Sequence, residues 1–143
     1  MDEKLLEIHE FTGIGYKPLI DYGTWRVAIL RFIDDRLPAE IKQVERHNET
    51  DEVFVLLEGQ AVLFMAEGDP EVVALYPQVL EPLKYYNVKR GAWHTIALSR
   101  DASILLVENR DTSTANSDYA ALSPALHKTL VQTCACEMPK WWS

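Results

Sequence analysis

The chain has 143 residues, 48% of them hydrophobic, and a formal net charge of -8. That length suits one domain around one core, and that composition excludes a disordered chain. The acidic balance excludes the basic face a nucleic-acid partner needs, and no polybasic segment is present to hold an anionic membrane.

No apolar run approaches the ~20 residues of a membrane-crossing helix. The start, MDEKLLEIHEF, lacks the basic and then apolar pattern of a secretion signal, so a cytoplasmic protein is expected. Cys134 and Cys136 lie too close together for a useful bridge, which fits a reducing compartment, and no second Cys pair completes a Cys-x-Cys metal site.

In chain order, residues 1–23 read as a lead-in. Thr24–Ile33 (TWRVAILRFI) is rich in β-branched and aromatic residues and apolar on both parities, as in a strand covered on both faces. EIKQVERH alternates, with Ile41, Gln43, Glu45 and His47 on one parity. After the turn NETD, the run EVFVLLEGQAVLFMAEGD predicts two strands joined at Glu58-Gly59. Shorter strands follow around Val72–Leu75, Val79–Leu80 and Tyr85–Val88, and HTIALS and SILLVEN are the last two. Ser123-Pro124 then opens a short helix, PALHKTLVQTC, before the apolar tail MPKWWS. Many short strands between turn signals predict a mainly β sandwich or barrel over residues 24–109, with a C-terminal helix and tail over 117–143. Residues 1–143 form a single domain in this reading.

The chemistry gathers in QVERHNETDE. Glu45 and His47 are two apart on a strand and share a face. The turn returns Glu52 towards them. His94 opens a later strand just after Gly91. Two carboxylates and two imidazoles make a ligand set for a divalent metal such as Zn, Mn, Fe or Ni.

The spacing Glu45-x-His47-x4-Glu52-x6-Gly59 resembles the first motif of the cupin superfamily, and Gly91-x2-His94 resembles the core of its second motif. Glu45 stands where most cupins have a first His, Lys89 replaces a Pro, and Leu98 stands where an Asn often follows. The resemblance implies a double-stranded β-helix, a small β-barrel. Among cupins the chain looks most like the ureidoglycolate lyases. It shares Glu45-Arg46-His47, Thr50, Phe54, Gly59, Asn87, Arg90, Trp93, His94, Arg31, and the loop with Asn116 and Asp118. Glu52 falls where the enterobacterial enzymes carry Gln.

That resemblance implies a metal enzyme converting ureidoglycolate to glyoxylate and urea. Glu45, His47, Glu52 and His94 would be the ligands, with Glu52, or else Glu45, the proton carrier. Arg31 and Trp93 would bind the substrate, a small carboxylate. Other readings stand beside these. Glu45 also fits a salt bridge with Arg46 or Lys42, and Arg31 a buried salt bridge with a glutamate. Trp93 fits plain apolar packing, and His9 and His127 have no partners at ligand spacing. The same barrel also suits a sugar isomerase, a dioxygenase or a non-catalytic small-molecule binder. The two-sided apolar strand and the tryptophans of the tail point to a homodimer.

Overall fold

Along the chain, β-branched and aromatic runs broken by Gly, Pro and Asp/Asn turns produce strands. The computed structural model describes residues 1–137. The tail after them, expected to pack on the barrel or on a second subunit, lies outside the described residues. The strands are β1 (Gly15–Tyr22), β2 (Trp25–Arg31), β3 (Gln43–His47), β4 (Glu52–Glu58), β5 (Ala61–Glu67), β6 (Ala74–Val79), β7 (Tyr86–Val88), β8 (Trp93–Leu98), β9 (Ser103–Asn109) and β10 (Ser117–Ala121). One helix, α1 (Pro124–Glu137), closes the described chain. None of the described helices is long and apolar enough to cross a membrane.

Sheet I has the order β1-β2-β9-β4-β7 and sheet II the order β10-β3-β8-β5-β6. Consecutive strands β4 and β5 lie in different sheets, so the corner at Gly59 carries the chain across. Gly59 has φ +73°, and a Cβ there would lie 2.6 Å from the Ala102 Cα, so only glycine fits this corner.

Side chains of alternate parity from both sheets meet inside the barrel. Phe54, Leu56, Leu63, Ile96, Leu98, Ile104 and Leu106 form this inner core. A second core lies behind sheet II, where Val44, Val62, Phe64, Trp93 and Ala97 pack with Leu130 and Cys134 of α1. The helix starts as its sequence predicts. Ser123 Oγ accepts from the Leu126 N–H at 3.2 Å, and Pro124 takes the first helical position.

Three strands differ from the expectation. Part of the lead-in 1–23 is β1, which pairs antiparallel with β2. The two short strands expected around Val72–Leu75 and Val79–Leu80 are one strand, β6. Pro18 in β1 and Pro77 in β6 interrupt the strand pattern, yet both strands lie at sheet edges, where a missing N–H is tolerated. β10 lies in the segment 117–143 expected as helix and tail; SDYAA carries no β-branched residue, and its strand geometry comes from pairing with β3, Ser117 opposite His47 and Tyr119 opposite Glu45.

Candidate metal centre

Five strand ends meet at one mouth of the barrel: the end of β3, the start of β4, the start of β8, the end of β9 and the start of β10. Their alignment rests on a turn that the sequence dictates. Asp51 accepts from the Arg90 N–H at 2.8 Å and from Asn87 Nδ2 at 3.1 Å. The Gly91 N–H donates to the His47 carbonyl at 2.8 Å. These bonds tie the β7–β8 connection to the β3–β4 turn and bring His94 beside His47. Glu45 and His94 are direct register partners across β3 and β8.

All four expected ligands converge. Glu52 Oε1 lies 3.1 Å from His94 Nε2 and 3.3 Å from His47 Nε2. Glu45 Oε1 lies 3.8 Å from His94 Nε2 and 3.9 Å from His47 Nε2. Donor atoms bound to one metal at ordinary Zn–N and Zn–O lengths lie about 3.0–3.5 Å apart. Glu52 and the imidazoles already have that spacing, and Glu45 needs only a small inward swing. Its side chain is a third exposed, whereas Glu52 and His94 are buried.

The imidazoles are oriented from behind. His94 Nδ1 lies 3.0 Å from the Ala92 carbonyl, and His47 Nδ1 lies 2.8 Å from Ser117 Oγ. A carbonyl can only accept, so His94 Nδ1 carries a proton. His94 Nε2 and Glu52 Oε1, 3.1 Å apart, then meet through a proton on the ring or through a metal ion between them. Ring nitrogens held by a carbonyl and a hydroxyl, with the other nitrogens facing a carboxylate, form the outer-shell pattern of histidine metal ligands. The residues present therefore fit a divalent metal.

Two further groups were not foreseen. Glu108 sits behind Glu52, and Tyr16 O–H donates to its Oε1 at 2.6 Å. His47, Glu52 and Glu108 form a second potential ligand triad beside Glu45, His47 and His94. The signal for Glu108 was its parity: it shares a face of β9 with Ile104 and Leu106, so a charge there points into the barrel. Tyr16 was hidden with β1.

Electrostatics separate the two buried carboxyls. Burial opposes ionisation of Glu52, yet hydrogen bonds from His47 and His94 hold it well below the usual carboxylate range. Burial, then the hydrogen bond and charge of Glu52, push Glu108 upward. Burial disfavours the His47 imidazolium, but the neighbouring carboxylates Glu52, Glu45 and Glu108 outweigh it and raise its pKa.

A cavity of about 310 Å³ opens above this cluster. Phe54, Ile96 and Leu106 make its apolar floor, and Ser113, Thr114 and Tyr119 its polar wall. The two residues expected to bind substrate do not line it. Arg31 lies on the outer parity of β2, opposite to the inward Ala28 and Leu30, and its guanidinium donates to the Gly13 carbonyl and Ser103 Oγ, each at 3.0 Å. Trp93 precedes the inward His94 by one residue and therefore faces outward into the core under α1. There its Nε1 donates to the Gly68 carbonyl at 3.1 Å, and Arg46 stacks 4.3 Å over its ring.

No family model and no curated protein matches the chain. Solved structures do. A cupin-2 domain protein from Shewanella frigidimarina NCIMB 400 is 16% identical, covering 76% of this chain and 88% of its own, with a TM-score of 0.49. Pac13, a β-barrel nucleoside dehydratase, is 11% identical, covering 78% of this chain and 83% of its own, with a TM-score of 0.50. The FeII form of HppE is 15% identical, covering 66% of this chain and 48% of its own, with a TM-score of 0.50. The two at a TM-score of 0.50 are likenesses of fold. Two antiparallel sheets closed over a core, with a short C-terminal helix, give the chain the cupin β-barrel architecture. Its mouth carries a His/Glu cluster able to hold a metal ion.

Proposed function

We propose that this chain is a metal-dependent cupin enzyme that acts on a small hydroxy or oxo acid in the manner of a ureidoglycolate lyase. The observation that carries this reading is the convergence of His47 Nε2, His94 Nε2 and Glu52 Oε1 beneath a small open cavity, with the His94 proton fixed on Nδ1.

In ureidoglycolate the reacting carbon bears a hydroxyl, a carboxylate and a ureido nitrogen. Release of urea requires the hydroxyl proton to leave as the carbonyl forms, and a proton to reach the departing nitrogen. His47, His94, Glu52 and Glu45 would hold a divalent ion, which would supply Lewis acidity towards a substrate hydroxyl. The chain supplies the proton carriers. Glu52 faces both imidazoles and hydrogen-bonds Glu108 behind it, so proton handling is assigned to the carboxyl pair rather than to Glu52 alone. Tyr16 holds Glu108 in place. Glu45, nearer solvent, is the one ligand free to exchange protons with water.

The test is metal content of untagged protein, measured beside a screen of small hydroxy acids. Bound metal with release of glyoxylate and urea supports the reading. Bound metal without turnover of any hydroxy acid removes the lyase assignment.

A further inference from the structure

The cavity above the metal centre has three glutamates in its walls, Glu45, Glu52 and Glu108, and one guanidinium, that of Arg36. Arg36 ends a short 3-10 turn, Asp34–Arg36, which packs against β8. Its neighbours Asp34 and Asp35 are exposed. Among the described residues, Arg36 Nε is the one buried side-chain nitrogen or oxygen without a hydrogen-bond partner.

A desolvated guanidinium donor is costly to leave unmet, because a charge-assisted bond is forgone along with hydration. Every other charged group on the cavity wall is acidic, yet none of them meets this donor. By contrast, Arg31 spends its guanidinium on Gly13 and Ser103 and has no access to the cavity. Arg36 lines the cavity of about 310 Å³ while its Nε stays unmet, which is explained when an acceptor arriving in the cavity draws the guanidinium towards it. A guanidinium fork matches a carboxylate in bidentate fashion. The cavity volume equals roughly ten waters, room for a small ligand of about ten non-hydrogen atoms.

We infer that Arg36 is the substrate-anchoring residue of this site, holding the carboxylate of a small hydroxy acid whose hydroxyl is turned towards the His47–His94–Glu52 cluster. This deepens the function proposed above and rests on it for the direction of the hydroxyl. The anchoring itself rests on the orphan donor and the cavity. It replaces Arg31 with Arg36 as the carboxylate clamp.

Glycolate serves as the probe, with ethylene glycol as its uncharged counterpart. Binding is measured by calorimetry on protein as purified and on chelator-treated protein, for the natural chain, Arg36→Ala, Arg36→Gln and Arg31→Ala. Arg36→Ala is expected to weaken glycolate at least about tenfold in both preparations, the scale of a lost charge-assisted pair. Ethylene glycol binding and metal content should stay unchanged, and Arg31→Ala should bind glycolate as the natural chain does. Arg36→Gln, which keeps a donor of similar size, gives the same reading if the Ala variant does not fold. Equal glycolate affinity with and without Arg36, or no glycolate binding by the natural chain in either preparation, overturns the inference. Arg36-dependent binding in a protein that takes up no metal overturns the metal reading and leaves the anchor standing.

Discussion

The two sheets contribute to the same site but are supported differently. Sheet II is buried on both faces, by the inner core on one side and by α1 with Leu130 and Cys134 on the other. It carries Glu45, His47 and His94. Sheet I carries Glu52 and Glu108, and only its inner face meets the barrel core. Its outer face presents Val27, Ile29, Leu105 and Val107, paired across β2 and β9 and only partly buried. The imidazoles thus stand on a sheet with its own backing, while the carboxyl pair stands on a sheet whose back remains available. Under the proposed function, sheet II supplies the ligands Glu45, His47 and His94, and sheet I supplies Glu52, which both ligates and carries protons with Glu108 behind it.

The sharpest way to break this division is to change one group on each sheet. Glu52→Gln should keep the fold and weaken metal binding modestly, because an amide oxygen still coordinates but cannot take a proton. Turnover of the true substrate should fall by about 10²–10⁴-fold, and Glu108→Gln should act in the same sense. Unchanged turnover in both variants would move the proton carrier to Glu45. His47→Ala should act on the other quantity: most of the metal is lost while the β circular dichroism persists. Full occupancy in purified His47→Ala protein would remove His47 from the ligand set.

The backing itself is testable at lower cost to the site. Leu130→Ala opens a cavity between α1 and sheet II and should cost about 2–5 kcal/mol in denaturant melts. Cys134 gives a second readout there. Burial pushes its thiol up to about 12, whereas Cys136 is exposed. One thiol should therefore react quickly with a disulfide reagent in the native protein, and the second only as α1 opens, sooner in Leu130→Ala. Two fast thiols in the natural chain would show that the helix does not seal sheet II.

The smallest effect on stability, and the one most telling for sheet I, comes from Ile29→Ser. We propose a homodimer formed through the outer face of sheet I, so this change should shift the mass seen by light scattering towards the monomer. Folding stability should move by only about 1 kcal/mol. A natural chain that is monomeric in dilute solution rules the dimer out.

Much of this arrangement was legible in the sequence, and the reasons are local. Glu45, His47 and Glu52 could be read because alternation and a four-residue turn fix their mutual direction without outside help. His94 could be read because Gly91 marks the start of its strand. The errors trace to parity and to edges. Arg31 and Trp93 each sit one residue from an inward side chain, Leu30 and His94, and one residue in a strand is a change of face. β1 and β6 were obscured by prolines that only an edge position makes acceptable. β10 owes its conformation to β3, some seventy residues earlier in sequence, which no local pattern records. Arg36 lies in a 3-10 turn between strands, where neither the helical nor the strand period predicts a direction.

The inner core has one more consequence, for traffic. Below the cavity floor of Phe54, Ile96 and Leu106, the barrel is filled by Leu56, Leu98 and Ile104, each no more than 2% exposed. A chamber plugged at its far end has a single door. With Arg36 as the proposed anchor, a product that keeps the carboxylate occupies the seat of the next substrate. Under the proposed reaction, glyoxylate carries the group Arg36 holds and urea does not. The order of departure follows: urea first, glyoxylate last, with glyoxylate acting as a competitive inhibitor and urea as a weak one.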